Sequence, residues 1–501
     1  MGLPRKIVLS IPLGFVLLSF LPPTRVLGQT GPQPAPGPTP SYPATEQGRC
    51  VRDYFEAVNS GDEKRLRSLF ERCYSETARK TRSVDDRLQT ARDMVRDLGT
   101  LAPDRILEAS QGLISVLVRA GNGELLEFGF ESEPAPGRGF RGVKVDQTVE
   151  PDPNQPTGAL SLTQATEEID RHLTTRAGED AFAGVALVAK DDAVVFHKAY
   201  GPAHRGLGVA NRPDTRFNLG SINKLFTKVA IGQLLDQGRL ALDDRLGRIL
   251  PDYPNPDARE KVTVRQLLEM RSGIGDFFGE RFMALPKDRL RKNADFLPLF
   301  ADQPLLFEPG SERRYSNGGY IVLGAIVEKV SGQDYYDYLR QNVFARAGMT
   351  DTDSYQADAI VANLAEGYTR RGGGPERPDA PLTANTYSRP ARGSAAGGGY
   401  STGLDLLRFS QALAQGKLLS PGWSAWVLGA APPTPGAPAS ADPPPRRGEI
   451  GAAGGAPGIN ALLEADFEGG WTVIVLTNLD PPAAERAGQR IRSLLRRASA
   501  R

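Results

Sequence analysis

A serine and a lysine three residues apart stand at the head of an apolar helical pattern. Ser221 and Lys224 are followed by apolar residues at helical spacing and then by a glycine: Leu225, Val229, Ala230, Leu234, Leu235 and Gly238. A pattern this apolar predicts a mostly buried helix, which needs other elements packed around it. The chain has 501 residues, enough for more than one hydrophobic core.

The position of the serine adds a chemical constraint. We expect Ser221 in the first turn of this helix, where backbone N–H groups lack intrahelical partners and can face an oxyanion. Lys224 shares its face, and burial disfavours the ammonium, so the amine can help to remove the hydroxyl proton. The pair predicts a serine enzyme that forms an acyl intermediate. From these four residues alone, an N-cap serine beside a surface lysine is an open alternative.

A tyrosine and an asparagine extend the pattern. Tyr315-Ser-Asn317 precedes a pair of glycines and apolar positions at helical spacing from Ile321 to Val327, so the motif should rest on a packed helix. Ser-x-x-Lys followed by Tyr-x-Asn resembles the penicillin-recognising serine hydrolases, specifically the class C β-lactamase group with its esterases and D-aminopeptidases. Further segments carry the same resemblance: Phe182–Ala189, Lys261–Leu268, Ser272–Gly275, Gly397–Thr402 and Thr472–Asn478.

The resemblance covers residues 160–497. It implies an α/β fold in which an antiparallel sheet is flanked by helices and carries a helical subdomain between Ser221 and Asn385. It also implies that Tyr315 is the proton-transfer partner of Ser221 and Lys224, and that Asn317 orients the substrate.

The third motif of the group departs from its usual sequence. Relatives carry Lys-Thr-Gly or His-x-Gly on a core strand, whereas this chain reads Gly451-Ala-Ala-Gly-Gly-Ala-Pro-Gly. Ala452 replaces the cation or histidine, so one side of the expected polar network is missing. The resemblance still assigns Ala452 and Gly454 to substrate binding. It assigns the backbone N–H groups of Gly455 and Ser221 to the oxyanion hole, because main-chain donors survive the loss of a side chain.

Three other candidates are set aside. Tyr253-Pro-Asn255 also fits Tyr-x-Asn but lies in a proline-broken loop. Met270 stands where relatives usually carry histidine, and we expect it to fill a core gap. Ser401 fits the Gly-x-Ser-x-Gly elbow of α/β-hydrolases, which requires a histidine later in the chain. Every histidine precedes it (His172, His197 and His204), so we expect Ser401 to be the N-cap of a helix from Leu404 to Gln415.

Composition excludes several other classes of function. Cys50 and Cys73 are the only cysteines, and with three histidines no ligand cluster for a metal is present. No phosphate-binding glycine loop occurs, so we predict neither a metal nor a nucleotide cofactor. The 61 basic and 59 acidic side chains nearly balance, which gives nucleic-acid binding no support.

The N-terminus resembles an export signal. Residues 1–28 combine Arg5 and Lys6 with an apolar run and a small-residue cleavage site, so the mature chain should begin near Gln29 in the periplasm or outside the cell. An uncleaved signal would instead anchor the chain at the cell envelope. Residues 29–45 are rich in proline and predict an extended linker.

A separate small domain follows the linker at residues 46–148. Two helices joined at Asn59-Ser-Gly61 and alternating strands near Ile114 and Leu125 predict an α+β unit, weakly similar to the nuclear-transport-factor-like cone fold. Cys50 and Cys73 either form a disulfide between the two helices or remain buried thiols. No catalytic cluster is apparent in this domain, so its role stays open.

The sequence therefore predicts an exported serine hydrolase. Its substrates would be small esters, amides or peptides, and the missing third-motif cation favours those without a carboxylate. The alternative is a catalytically impaired relative that binds a peptide or a cell-wall fragment, which Ala452 favours. A scaffolding role through the N-terminal domain is a third reading. The oligomeric state is not predicted.

Overall fold

The computed structural model describes residues 40–81, 83–110, 112–121, 125–133, 139–147, 160–370, 380–433 and 448–498. These residues divide into two compact units, one within Val16–Thr157 and the other within Gly158–Arg501. The predicted export signal and most of the linker lie outside the described residues. In the part of the chain that is described, no helix is both long and apolar enough to cross a membrane.

The N-terminal unit packs helices on one face of an antiparallel sheet. Its helices are α1 (Glu46–Ser60), α2 (Glu63–Cys73), α3 (Glu76–Thr81) and α4 (Val84–Leu98). Its strands are β1 (Leu101–Ala109), β2 (Leu113–Ala120), β3 (Leu125–Ser132) and β4 (Phe140–Gln147), paired in chain order. The predicted pair of helices and the alternating strands are both present. The similarity to the cone fold stays a prediction.

Local signals explain where the first two helices begin and end. Thr45 caps α1 through its side chain, and α1 stops at Gly61, whose φ of 65° suits a residue without a Cβ. Asp62 then caps α2 by accepting from two backbone N–H groups. Cys50 and Cys73 form a disulfide that joins α1 to α2, with their Cα atoms 5.9 Å apart.

The C-terminal unit is built on a five-stranded antiparallel sheet. Its main strands are β5 (Gly184–Lys190), β6 (Ala193–Tyr200), β13 (Glu449–Ala456), β14 (Ile459–Asp466) and β15 (Trp471–Thr477), in the order β13-β14-β15-β5-β6. Short strands β7 (Pro202–His204), β8 (Val209–Ala210), β9 (Phe217–Asn218), β10 (Tyr368–Thr369), β11 (Thr383–Ala384) and β12 (Tyr400–Ser401) form three further pairs.

Helices cover both faces of this sheet. Val185 and Leu187 of β5 belong to the larger core, whereas Ala186 and Val188 belong to the core under α5 (Leu162–Gly178) and α16 (Ala483–Ala498). Successive residues of a strand point to opposite faces, so this alternation places one core on each side. The predicted α/β architecture is confirmed.

The remaining helices lie between the sheet strands in sequence. They are α6 (Asn223–Asp236), α7 (Leu246–Ile249), α8 (Pro256–Lys261), α9 (Val264–Leu268), α10 (Glu280–Ala284), α11 (Asn317–Ser331), α12 (Tyr335–Leu339), α13 (Ala345–Ala347), α14 (Gly403–Ala414) and α15 (Pro421–Val427). The helices from α7 to α13 lie in the segment for which a helical subdomain is predicted. Helices α6 and α11 contact each other through apolar faces in the larger core, which positions the candidate site.

Candidate active site

Ser221 lies in a single 3-10 turn, Gly220–Ile222, that runs directly into α6. The turn is fixed from both sides, because the Gly220 N–H donates to Asn218 Oδ1 at 3.0 Å and strand β9 pairs with β12. Gly220 has a φ of 49°, a backbone conformation that favours glycine. The sequence placed the serine in the first turn of α6; in the structure it lies in the turn just before that helix.

Lys224 lies one helical turn further, beside the serine. Its side chain is buried, at 7% exposure, and Nζ donates to Ser221 Oγ at 3.1 Å. The same Nζ donates to Asn317 Oδ1 at 2.7 Å and to the Ala396 carbonyl at 2.5 Å. It also lies 4.8 Å from the ring centroid of Tyr315 and 5.5 Å from that of Tyr320. Three acceptors and two aromatic rings therefore surround one amine.

Tyr315 also contacts the serine. Its hydroxyl lies 2.6 Å from Ser221 Oγ, and the side chain is 40% exposed. The residue is anchored by its neighbour Ser316, whose hydroxyl accepts from the Gly319 N–H at the start of α11 and donates to the Gly275 carbonyl. Tyr315 is therefore hydrogen-bonded to Ser221 and partly open to solvent.

Asn317 joins the lysine to a carboxylate that the sequence had not identified. Its Nδ2 donates to Asp276 Oδ2 at 2.7 Å, and its backbone N–H donates to the same oxygen at 3.2 Å. Asp276 directly follows Ser272–Gly275, a segment quoted for its resemblance alone. The available signal was an acidic residue next to a family segment, but no local pattern links it to Asn317, 41 residues later.

Strand β13 borders the serine through its main chain. A Cβ placed on Gly454 would lie 2.0 Å from the Leu219 carbonyl oxygen and 2.7 Å from the Ser221 nitrogen. A Cβ on Gly220 would lie 2.8 Å from the Gly455 nitrogen, so the two backbones touch. Ala452 shares the strand face of Gly454 and is partly buried against the larger core. The site is therefore lined on this side by backbone and one methyl group.

Asn460 links this strand to the last helix. Its Nδ2 donates to the Gly454 carbonyl at 3.2 Å and to Glu485 Oε1 at 3.0 Å, while its Oδ1 accepts from the Ala484 N–H at 2.6 Å. Asn460 is fully buried, and burial raises the pKa of the Glu485 carboxyl. The position of Gly454 is thus set by α16 as well as by the sheet.

A second lysine on α6 does not face the serine. Burial lowers the pKa of Lys228 to about 8, a value that would suit a base. Its Nζ, however, donates to the Val427 carbonyl at 3.1 Å and lies 4.8 Å from the ring centroid of Trp426. Lys228 therefore packs on the end of α15.

The structure also decides the rival motifs. Tyr253 is buried, and Asn255 caps α8 by accepting from the Ala258 N–H. These two residues therefore have structural roles and do not form a catalytic pair. Met270 packs against the larger core as expected. Ser401 is fully buried in β12 and hydrogen-bonded to Thr352, so it is not an exposed nucleophile.

The prediction that Ser401 is the N-cap of the following helix is wrong. Thr402 caps α14 by accepting from the Asp405 N–H at 3.2 Å, and the helix spans Gly403–Ala414. Pairing of β12 with β9 extends the strand through Ser401 and shifts the cap by one residue.

Arg446 and Arg447, which precede β13 in the sequence, are not among the described residues. Within the described ranges, no group of three or more histidine, cysteine, aspartate or glutamate side chains is arranged to hold a metal ion.

Comparisons with known proteins show the family of this chain. Residues 169–497 match the family model described as Beta-lactamase. Penicillin-binding protein 4 of Amycolatopsis lactamdurans is 35% identical over 185 residues, which cover 36% of this chain and 47% of that protein. The chain thus spans about half the length of this relative.

Solved structures show the same fold. The crystal structure of a penicillin-binding protein from Bacillus halodurans is 31% identical, with a TM-score of 0.55, over 64% of this chain and 98% of that one. The D-amino acid amidase from Ochrobactrum anthropi SV3, complexed with L-phenylalanine amide, superimposes with a TM-score of 0.54 over 67% of this chain and 98% of that chain. Its identity is 23%, so it shows the fold alone.

Proposed function

This chain belongs to the Beta-lactamase family, and from that premise we propose that it is a serine hydrolase in which Ser221 forms an acyl-enzyme. The observation that carries the proposal is the contact of Ser221 Oγ with both Lys224 Nζ at 3.1 Å and Tyr315 Oη at 2.6 Å. The Ser221 hydroxyl thus contacts an amine that can accept its proton and a phenol that can donate a proton.

In the proposed acylation, neutral Lys224 takes the proton of Ser221, and Oγ forms a bond to the substrate carbonyl carbon. The backbone N–H groups of Ser221 and Gly455 stabilise the oxyanion. The bond to the leaving oxygen or nitrogen then breaks, and that atom takes the proton of Tyr315. Asn317 contacts the substrate with the Nδ2 hydrogen that Asp276 does not accept.

Water completes the cycle. It gives a proton to the Tyr315 phenolate, and its oxygen attacks the acyl carbon. Ser221 Oγ leaves and recovers its proton from Lys224. The sum is the hydrolysis of one ester or amide bond, with every protein group restored.

The surroundings of the serine support substrates without a carboxylate. Ala452 provides no cation on β13, and among the described residues no lysine or arginine forms an ion pair with Asp276 at the other side of Asn317. A carboxylate near the site and no cation at position 452 both disfavour an anionic substrate. We therefore propose small neutral esters, amides or peptides as substrates.

Intact-mass labelling tests the proposal. Purified protein is treated with a fluorophosphonate and, separately, with penicillin, beside Ser221→Ala, Lys224→Ala and the control Ser401→Ala. The expected result is one fluorophosphonate adduct on the wild type and on Ser401→Ala, none on Ser221→Ala, and at least a hundredfold slower labelling of Lys224→Ala. We expect little adduct with penicillin, because its carboxylate lacks a partner.

The second candidate function is binding without hydrolysis, which the alanine at position 452 favours. It predicts no adduct on folded wild-type protein, together with binding of a peptide or cell-wall fragment in the same cleft. A folded protein that resists the fluorophosphonate would therefore replace the first proposal with the second.

Export remains a proposal. The Cys50–Cys73 disulfide supports it, because structural disulfides persist in oxidising compartments. The expected observation is a mature N-terminus near Gln29, in the periplasm, outside the cell or at the envelope. Recovery of only the full-length chain from the cytosol would contradict it.

A further inference from the structure

We infer that Asp276 is a positioning residue that aims the lysine of this site at the serine. The inference rests on the proposed function, since it concerns how Lys224 is prepared to accept the proton of Ser221.

The carboxylate itself is held in one orientation. Asp276 Oδ1 accepts from the Phe278 N–H at 3.0 Å, in a turn that closes two residues later. Its Oδ2 accepts from the backbone N–H of Asn317 at 3.2 Å. These two backbone donors lie on different segments, so the carboxylate cannot rotate without losing one of them.

The fixed carboxylate decides which way the Asn317 amide points. An ionised carboxylate only accepts hydrogen bonds, so the amide atom 2.7 Å from Asp276 Oδ2 must be Nδ2. The other amide atom, Oδ1, then faces Lys224 Nζ at 2.7 Å. Without Asp276, the Asn317 amide could flip and place its Nδ2 donor next to the N–H donors of Lys224.

The orientation of the amide decides what the amine presents to the serine. Asn317 Oδ1 and the Ala396 carbonyl are both pure acceptors, so each takes one N–H of Lys224. A neutral amine has two N–H groups and one lone pair. The third position on Nζ faces Ser221 Oγ at 3.1 Å: it holds the N–H that donates there when Lys224 is an ammonium, and it holds the lone pair when the amine is neutral. Asp276 thus selects the proton-accepting arrangement without touching the reacting atoms.

Two readouts test the inference. The rate of fluorophosphonate labelling is measured against pH, and trace acetylation of Lys224 by acetic anhydride is followed by mass spectrometry over the same range. For Asp276→Ala we expect labelling to slow by about 10- to 100-fold, with the pH profile of labelling and the acetylation curve of Lys224 both changed from those of the wild type. The control Glu280→Ala removes an exposed carboxylate four residues away and should match the wild type.

A purely structural role for Asp276 predicts a different result. Because its carboxylate also accepts from the first N–H of α11, its loss could simply lower the melting temperature. A folded Asp276→Ala protein with unchanged pH curves for both labelling and acetylation would overturn the inference. If the alanine variant does not fold, Asp276→Asn decides by the same two curves, since an asparagine amide can donate as well as accept and so no longer fixes which way the Asn317 amide points.

The acetylation curve also separates this inference from the proposed function. If wild-type protein forms no adduct at Ser221, serine hydrolysis is rejected. The displacement of the Lys224 curve between wild type and Asp276 variants still measures whether Asp276 controls the amine, and an unchanged curve rejects the inference.

Discussion

At the scale of single residues, the site depends on a glycine, which has no side chain, as much as on the polar side chains around Ser221. Gly454 allows β13 to lie against the serine turn, whereas Gly451 on the same strand has open space where a Cβ would be. We expect Gly454→Ala to displace Ser221, to lose most fluorophosphonate labelling and to cost about 1–3 kcal/mol of stability. Gly451→Ala is the matched control. Equal labelling of the two variants would contradict the close packing of β13 on the serine turn.

A single histidine should make stability depend on pH. Burial lowers the pKa of His197, and among the described residues its buried Nε2 has no hydrogen-bond partner. The unfolded chain takes up this proton near pH 6.5, before the folded chain does. The stabilising contribution of the neutral His197 to the unfolding free energy is therefore fully present above that pH, and it is lost as the pH falls. Urea denaturation at pH 7.5 and 5.5 should show a smaller loss for His197→Gln than for wild type; an identical loss would exclude this group as a cause.

Much of the residue-level site was predictable from the sequence because its members sit in short local motifs. The structure brings Ser221, Lys224, Tyr315 and Asn317 together, and it places the backbone of Gly454 and Gly455 against them. Their catalytic roles remain predictions. Asp276 escaped notice because its partner is distant in sequence, and hydrogen bonds across a folded core leave no periodic pattern.

At the scale of elements, helix caps separate positions that look alike in sequence. Ser161 accepts from the Gln164 N–H while Gln164 reaches back to the Ser161 N–H, forming a capping box at α5. Ser420 precedes α15 in the same way but its side chain makes no cap bond. We expect Ser161→Ala to lower the unfolding free energy by about 1 kcal/mol and Ser420→Ala to leave it nearly unchanged. Chemical denaturation of both variants checks this, and a larger effect at Ser420 would be the contrary outcome.

The error at Ser401 shows where sequence patterns fail for elements. Both Ser401 and Thr402 are good capping residues, and apolar spacing alone does not choose between them. The choice is made by β9, a strand far away in the chain, whose pairing draws Ser401 into β12. Apolar periodicity predicted α6, α11 and α14 well because each is long enough to repeat its pattern.

At the scale of the whole molecule, both cysteines lie in the N-terminal unit. A crosslink between residues 23 apart in sequence stabilises that unit by about 3 kcal/mol through the unfolded chain. We expect reduction, or the Cys50→Ala/Cys73→Ala variant, to lower the melting temperature of this unit. The rate at which Ser221 is labelled should not change. Calorimetry with parallel fluorophosphonate labelling is the measurement. Loss of labelling upon reduction would show that the two units depend on each other.

The hydrogen bonds of Asn460 carry a practical consequence for anyone who shortens or tags this chain. They tie the Gly454 carbonyl to α16, the last described helix. The sequence motifs alone would suggest that α16 can be removed by a C-terminal truncation, because none of the motifs lies in this helix. Such a truncation would nevertheless release the strand that borders Ser221, so an inactive truncated protein would reveal a lost support and say nothing about the serine.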